Sequence, residues 1–385
     1  MRKLTILITF IVLTSCQSPI EKVATNENGI ITADITNFKD TVNIALSELL
    51  EDIEIIQLDN EIEAYVTYYS SLFASENYIA ATHNNQVKLF ERKTSKFICN
   101  IGSVGRGHGE YTYPQQIKIH EDSKTIYIGS FQNILAFDFN GKFLHSTSTH
   151  DTTAAFDILT GSKQGDVIIY SNYPHYTRTG IIQQDVEGNE TSFCEIELPI
   201  GGSYNFSNNS TLPNIHIYNL NNKPDTLFRY NKETNSITPI FTAAFNNLTE
   251  VEEISKSSVL KQYYENSDYF LFSHTNINPI RDDGHFIGFS TNGYPDIEIV
   301  NKKNLTGGHL KLTNDLILSD KNMYIKFKED YYISGFDAIK LLEHFESLTE
   351  EQRAKADPKN LERIDRLIET INPEGNTVML VGKIK

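Results

Sequence analysis

From residue 48 onward, the chain alternates short runs of apolar, β-branched and aromatic residues with clusters of Asn, Asp, Gly and Ser. That alternation predicts strands. The runs at 53–58, 78–81, 87–90, 126–128 and 134–139 are the first of them. Others fall at 167–170, 180–184, 214–218, 226–230, 269–272, 285–289, 322–327 and 330–334. Turn residues separate neighbours, as in His83-Asn84-Asn85, Gln132-Asn133 and Asn140-Gly141. Asn-Gly suits a tight hairpin because both positions tolerate positive φ. Many short strands with regular turns fit a sandwich, a barrel or a propeller.

Two stretches break the strand pattern. Residues 338–371 carry Leu341, Leu342 and Phe345 on one face, then Leu361, Ile364, Leu367, Ile368 and Ile371 at helical spacing. Thr349-Glu350-Glu351-Gln352 has the form of a capping box, and Asp357-Pro358 that of an N-cap followed by proline. The apolar stripe is expected to pack on the body. A smaller helix is expected over 250–264, with Val251, Ile254, Val259 and Leu260 apolar.

Repetition separates the β architectures, because a unit of roughly 40–50 residues marks a propeller. The clearest unit runs from Pro114 to Leu144. Gln116-Ile117-Lys118-Ile119 leads to Ile126-Tyr127-Ile128, then Phe137-Asp138-Phe139-Asn140-Gly141-Lys142-Phe143. Together with Gly109-Glu110-Tyr111 and Pro114, this unit resembles an NHL-type propeller repeat. It departs by having Gly129-Ser130 where such repeats often place Asp. The whole chain is similar to the six-bladed β-propeller lipoproteins of Bacteroides-type bacteria, which have an NHL/TolB-like propeller. The segments that carry this likeness are Glu51 to Leu58 and Gly375 to Lys385. The resemblance implies an all-β, six-bladed β-propeller over 48–385, with a helical insertion over 337–372 in the last blade. Blades are expected near 62–99, 112–148, 154–198, 212–244, 266–303 and 310–385. A strand from 51–58 should pair with the C-terminal strand, including Val378 to Ile384, because a bare sheet edge invites aggregation.

The N-terminus reads as an address. Arg2 and Lys3 precede a mostly apolar run from Leu4 to Leu13, too short to span a bilayer, which ends in Leu13-Thr14-Ser15-Cys16. This resembles the lipobox of bacterial lipoproteins, which implies a signal over 1–16 and acylation at Cys16. Residues 17–47 are polar and Asn/Thr-rich, as a tether would be. The expected location is the cell envelope, as an outer-membrane lipoprotein held to the membrane by its lipid.

Charge narrows the partners. The 34 Lys and Arg against 50 Asp and Glu leave −16, or −18 once Arg2 and Lys3 are removed. Such a surface disfavours nucleic acid. Besides Cys16 there are two cysteines, Cys99 and Cys194, both in strand-like runs. Buried free thiols or a disulfide both fit them.

The search for chemistry finds no metal spacing, no nucleophile elbow and no cofactor motif. The glycine-rich stretch 101–111 lacks the Lys-Ser or Lys-Thr of a phosphate loop and reads as a connection between blades. Two polar-aromatic loops are the candidate binding sites: Arg106, His108 and Glu110, and Tyr173, His175, Tyr176 and Arg178. The expectation is a binding module for a protein, peptide or glycan. The alternative is a propeller enzyme, a glycan lyase or hydrolase, with its active site at the central channel. Fold alone does not separate them.

Overall fold

The computed structural model describes residues 22–149, 153–162, 165–172, 180–196, 202–208, 213–219, 225–231, 233–244, 258–282, 285–291, 296–319 and 327–385. The protein is all-β and propeller-like, with its main helices near the C-terminus. Its strands gather into six principal antiparallel sheets, I to VI, in chain order. Sheet I holds Ser71–Ala74, Tyr78–His83, Gln86–Glu91 and Phe97–Ile101. Sheet II holds Gln116–His120, Thr125–Ser130, Asn133–Asp138 and Phe143–Ser148. Sheet III runs from Thr153–Ser162 to Glu190–Glu195, and sheet IV from Gly202–Asn208 to Ser236–Ala244. Sheet V includes Ser258–Glu265, Tyr269–Asp282, Asp296–Asn301 and Gly307–Thr313. Sheet VI includes Phe327–Lys328, Tyr331–Phe336, Val378–Ile384 and Leu50–Gln57.

Each sheet shares buried contacts with the next. Leu89, Ile101, Ile117 and Phe137 join sheets I and II in one cluster. Tyr127, Ala136, Ile168 and Ile182 join II and III. Between III and IV, Gln183 Nε2 donates to the Tyr230 hydroxyl at 2.9 Å. Phe241, Tyr263 and Phe272 join IV and V, while Leu271, Ile299, Tyr332 and Leu380 join V and VI. Sheet VI also packs on sheet I, through Ile333 and Val381 against Ile79 and Phe90.

Two buried charge clusters pin these contacts. Arg92, fully buried, donates from Nε to Glu54 at 2.8 Å and from Nη2 to the Asp52 carbonyl at 2.7 Å, fastening sheet I to sheet VI. Glu265, 5% exposed, accepts twice from Arg229 at 2.7 Å and once from Lys302 at 2.6 Å, fastening sheet IV to sheet V.

Three readings of the sequence need correction. First, the segment 17–47 is no plain tether. From Ala24 it builds strands: Ala24–Glu27 pairs with Ile30–Asp34, which runs parallel to Phe241–Ala244 of sheet IV. Thr41–Ala45 then runs parallel to His309–Thr313 of sheet V, and the chain continues into Leu50–Gln57 of sheet VI. Five-residue strands with one buried face turn every second side chain away from the core, so they look polar in sequence. Second, the expected helix over 250–264 is a strand from Ser258, paired with Tyr269–Asp282; residues 250–257 lie outside the described residues. Its β-branched and tyrosine-rich second half favours the sheet. Third, segment edges move: Gly202–Asn208 joins sheet IV ahead of the expected 212, and Gly307–Thr313 belongs to sheet V rather than the last unit.

The expected pairing at the C-terminus is present, with Val378 opposite Gln57 and Ile384 opposite Leu50. The insertion holds helices Ala338–Glu346, Glu350–Lys355 and Pro358–Thr370. Asp337, Thr349 and Asp357 cap them, Thr349 in the expected capping box with Gln352. Leu341, Phe345, Ile364 and Leu367 bury against Leu316, Val378 and Leu380, so the apolar stripe is packed on the body.

Candidate functional site

Antiparallel registers bring a set of connections to one end of the sheets. In sheet I, Ser71 opposes Thr82, His83 opposes Gln86, and Val87 opposes Ile101. In sheet II, Gln116 opposes Gly129, and Ser130 opposes Asn133. In sheet VI, Phe336 opposes Val378, which opposes Gln57. The loops 58–70 and 102–115, the turns at 84–85 and 131–132, and the helical connection 337–377 therefore share this end.

Loop 58–70 is held by Asn376, itself 2% exposed. Its Oδ1 accepts from the N–H of Val66 at 3.0 Å and of Thr377 at 2.9 Å. Its Nδ2 donates to the carbonyls of Asp59 at 2.8 Å and Ala64 at 2.9 Å. The Thr377 hydroxyl donates to the Val66 carbonyl at 3.0 Å, and Lys88 Nζ donates to the Glu63 carbonyl. Gly335 lets the loop come close, since a Cβ there would sit 2.9 Å from the Tyr68 carbonyl.

So fixed, the loop presents Ile62, Tyr65, Tyr68 and Tyr69 to solvent, with Tyr69 76% exposed. Tyr113, Val104, Phe131 and Ile339 are exposed at the same end. Tyr68 and Tyr69 meet edge to face at 5.2 Å, Tyr65 and His83 at 5.5 Å, and Lys340 Nζ lies 5.9 Å from the Tyr68 ring. Large apolar residues are thus exposed together at this end. Two further exposed residues, Ile98 and Leu144, lie on outer strands.

Cavities open between these groups. One of about 270 Å3 is lined by Thr67, Tyr69, Ser70, Ser71, Thr82, His83, Asn84, Asn85, Tyr113 and Pro114. Burial, with Lys88 adding to it, pushes the His83 imidazole below its ordinary pKa of 6.5, so it is neutral at pH 7. A second, of about 300 Å3, lies between Tyr68 and the helix Ala338–Glu346, with His344 Nε2 donating to the Ile317 carbonyl at 2.8 Å.

The glycine-rich loop forms its own cavity, of about 320 Å3, and brings Arg106, His108 and Glu110 together. Much of this cluster is structural. Glu110 accepts from the Gly107 N–H at 2.7 Å, and a Cβ on Gly105 would overlap its carboxylate. The His108 ring packs edge-on to Phe143 at 4.8 Å. Tyr111 pins the loop, its buried hydroxyl donating to the Ile101 carbonyl at 2.6 Å and accepting from the Val87 N–H at 3.0 Å. Burial pushes that hydroxyl up to about 12. Arg106 is exposed. The second predicted cluster, Tyr173, His175, Tyr176 and Arg178, lies outside the described residues, as does Cys16.

A larger groove, of about 590 Å3, runs between the strand Leu50–Gln57, the turn 93–96 and the helix Pro358–Thr370. Its charges have partners of their own: Lys96 pairs with Asp59 at 3.4 Å, Arg366 with Glu362 at 2.9 Å, and Arg363 donates to Asn360 at 2.7 Å. Among the described residues, no three His, Cys, Asp or Glu form a group able to hold a metal. Cys99 and Cys194 are free thiols. Burial raises both, Cys99 to about 11, which makes them poor nucleophiles at neutral pH. No described helix is long and apolar enough to cross a membrane.

Sequence reading missed the tyrosine cluster because it sought ligand sites among polar motifs. The signal was present as Ile62, Tyr65, Tyr68 and Tyr69 in a stretch between strands, where no core position accounts for them.

The architecture and this loop end define an all-β, propeller-like protein with an exposed aromatic surface at one end. The chain belongs to the family described as a domain of unknown function (DUF4934), which matches residues 30–383. It is similar in fold to a protein of Bacteroides fragilis provisionally assigned as exported, at 14% identity and a TM-score of 0.56, covering 90% of this chain and all of that one. A member of the DUF4221 family from Bacteroides vulgatus aligns at 10% identity and a TM-score of 0.44, covering 88% of this chain and 98% of the other. No match was found among curated proteins.

Proposed function

We propose that the chain is a six-bladed β-propeller lipoprotein of the cell envelope, anchored by lipid on Cys16, that binds a protein, peptide or glycan through the loop end. The succession of six sheets, each packed on the next and the last on the first, supports the blade reading. The positively charged and apolar N-terminus ending at Cys16 supports the anchor. Val23 is already buried in the body and Lys22 bridges Thr306, so the proposed anchor would lie only a few residues ahead of the folded part.

The single observation that carries the binding role is the collection of exposed tyrosines and apolar side chains at one end. Tyrosine gives a rigid apolar face and a hydroxyl, at low entropic cost on binding. The full chain should bind a member of a peptide and glycan panel without altering it. Turnover of any member, detected by product analysis, overturns the binding role in favour of an enzyme. For the anchor, Cys16→Ala should move the protein from the membrane fraction to the soluble one. Retention in the membrane overturns it.

A further inference from the structure

We infer that the 270 Å3 cavity between loop 58–70 and the turn at 84–85 is a subsite for a neutral sugar, with Tyr69 and Tyr113 as its aromatic walls. This rests on the reading of the loop end as a binding face and names the ligand class for it.

Two observations converge. The first is charge. In a chain of net charge −16, this cavity is lined by no Asp, Glu, Lys or Arg, whereas the other cavities described each carry charged side chains. The nearby cation, Lys88, is buried and turned to the Glu63 carbonyl. His83 is held neutral by its burial. A carboxylated, sulfated or phosphorylated ligand would find no counter-charge here, and its desolvation would go uncompensated.

The second is the donor and acceptor set. Asn84 and Asn85 carry amides, Ser70 and Ser71 carry hydroxyls, and His83 carries an imidazole. Each can both donate and accept, which is what a ring of sugar hydroxyls requires. Asn84 and Asn85 both adopt positive φ, at 49° and 63°, so the turn is shaped around them. The tyrosine rings complete the site, since the C–H face of a sugar packs on an aromatic ring while its hydroxyls reach the polar lining.

The test uses the full chain purified in detergent. It is applied to immobilised neutral oligosaccharides of glucan, mannan and xylan, to their uronate-containing and sulfated counterparts, and to unmodified peptides. Binding to neutral oligosaccharides is expected. Tyr69→Ala and Tyr113→Ala should each weaken it about tenfold, with Tyr69→Phe retaining most of the affinity. Both rings are largely exposed, so affinity should fall in each alanine variant while thermal stability holds. A residue that only supports the fold would lose both together. Preference for anionic sugars or for peptides overturns the neutral-sugar assignment and leaves the binding face standing. Neutral binding that ignores Tyr69 and Tyr113 but is lost in Arg106→Ala moves the site to the glycine-rich loop and overturns this one. No binding to any class overturns both.

Discussion

Asn376 decides whether loop 58–70 has one conformation. Its side chain makes two accepted and two donated hydrogen bonds, all with backbone groups and all between 2.8 and 3.0 Å. Three of those groups belong to Ala64, Val66 and Thr377, which are buried, none more than 5% exposed. Asn376→Ala removes all four bonds. At about 1 kcal/mol net for each, the loss is about 4 kcal/mol, with trapped water offsetting part and unsatisfied groups adding to it. The assay is urea unfolding of the full chain, compared with Asn372→Ala, which alters an exposed neighbour and should cost no more than about 0.5 kcal/mol. Asn376→Asp should be at least as damaging, because it points an oxygen at two carbonyls less than 3 Å away. If Asn376→Ala unfolds within about 0.5 kcal/mol of the parent, the loop is not held by this residue, and the reasoning fails.

Three further outcomes follow from the buried charges and the site histidine. Arg92→Met should cost about 3 kcal/mol at neutral pH, because it strands the Glu54 carboxylate between sheets I and VI. Burial already raises the Glu54 pKa above 4.5, against the pull of Arg92. A raised carboxyl favours the fold below the unfolded pKa and loses that contribution as pH rises through the folded one, so the deficit of Arg92→Met should shrink as pH falls through the raised folded-state values, above 4.5, and level off below them. A deficit that does not change with pH would contradict this. Glu265→Gln should destabilise by about 3 kcal/mol in urea unfolding, since Arg229 and Lys302 then lose their shared counter-charge; a neutral result removes that triad from the account. His83 should titrate, by NMR, with a midpoint below 6.5. Its neutral form therefore supports the fold fully above 6.5, and that support is lost as pH falls through its own lower pKa. A midpoint at or above 6.5 contradicts the buried, uncharged cavity.

Strong local signals in the chain matched the elements that form. The turns at 84–85 and 140–141, the caps at Thr349 and Asp357, and the pairing of 51–58 with the C-terminal strand follow from local chemistry plus the need to cover a sheet edge. Legibility ended where a short strand joins a sheet built from distant residues. Ile30–Asp34 and Thr41–Ala45 are short and half-polar, and the strands they run parallel to lie more than 200 residues away. The segment 258–264 failed for the opposite reason: its apolar residues fit a helical spacing, yet β-branched and tyrosine side chains paired with 269–282. The glycine-rich loop was found by composition, but Glu110 and His108 proved to be partly engaged within the loop and with Phe143. The tyrosine surface depends on two loops and a turn meeting in space, which spacing along the chain does not encode.

The central claim is that the end bearing Tyr65, Tyr69 and Tyr113 is the ligand face. Hydrogen exchange of the full chain, with and without a saturating amount of the peptide or glycan that it binds, tests it most directly. Protection should appear in 61–70, 82–86 and 111–115 and leave the outer strands Phe97–Ile101 and Phe143–Ser148 unchanged. Unchanged exchange throughout, or protection confined to the outer strands, would contradict it.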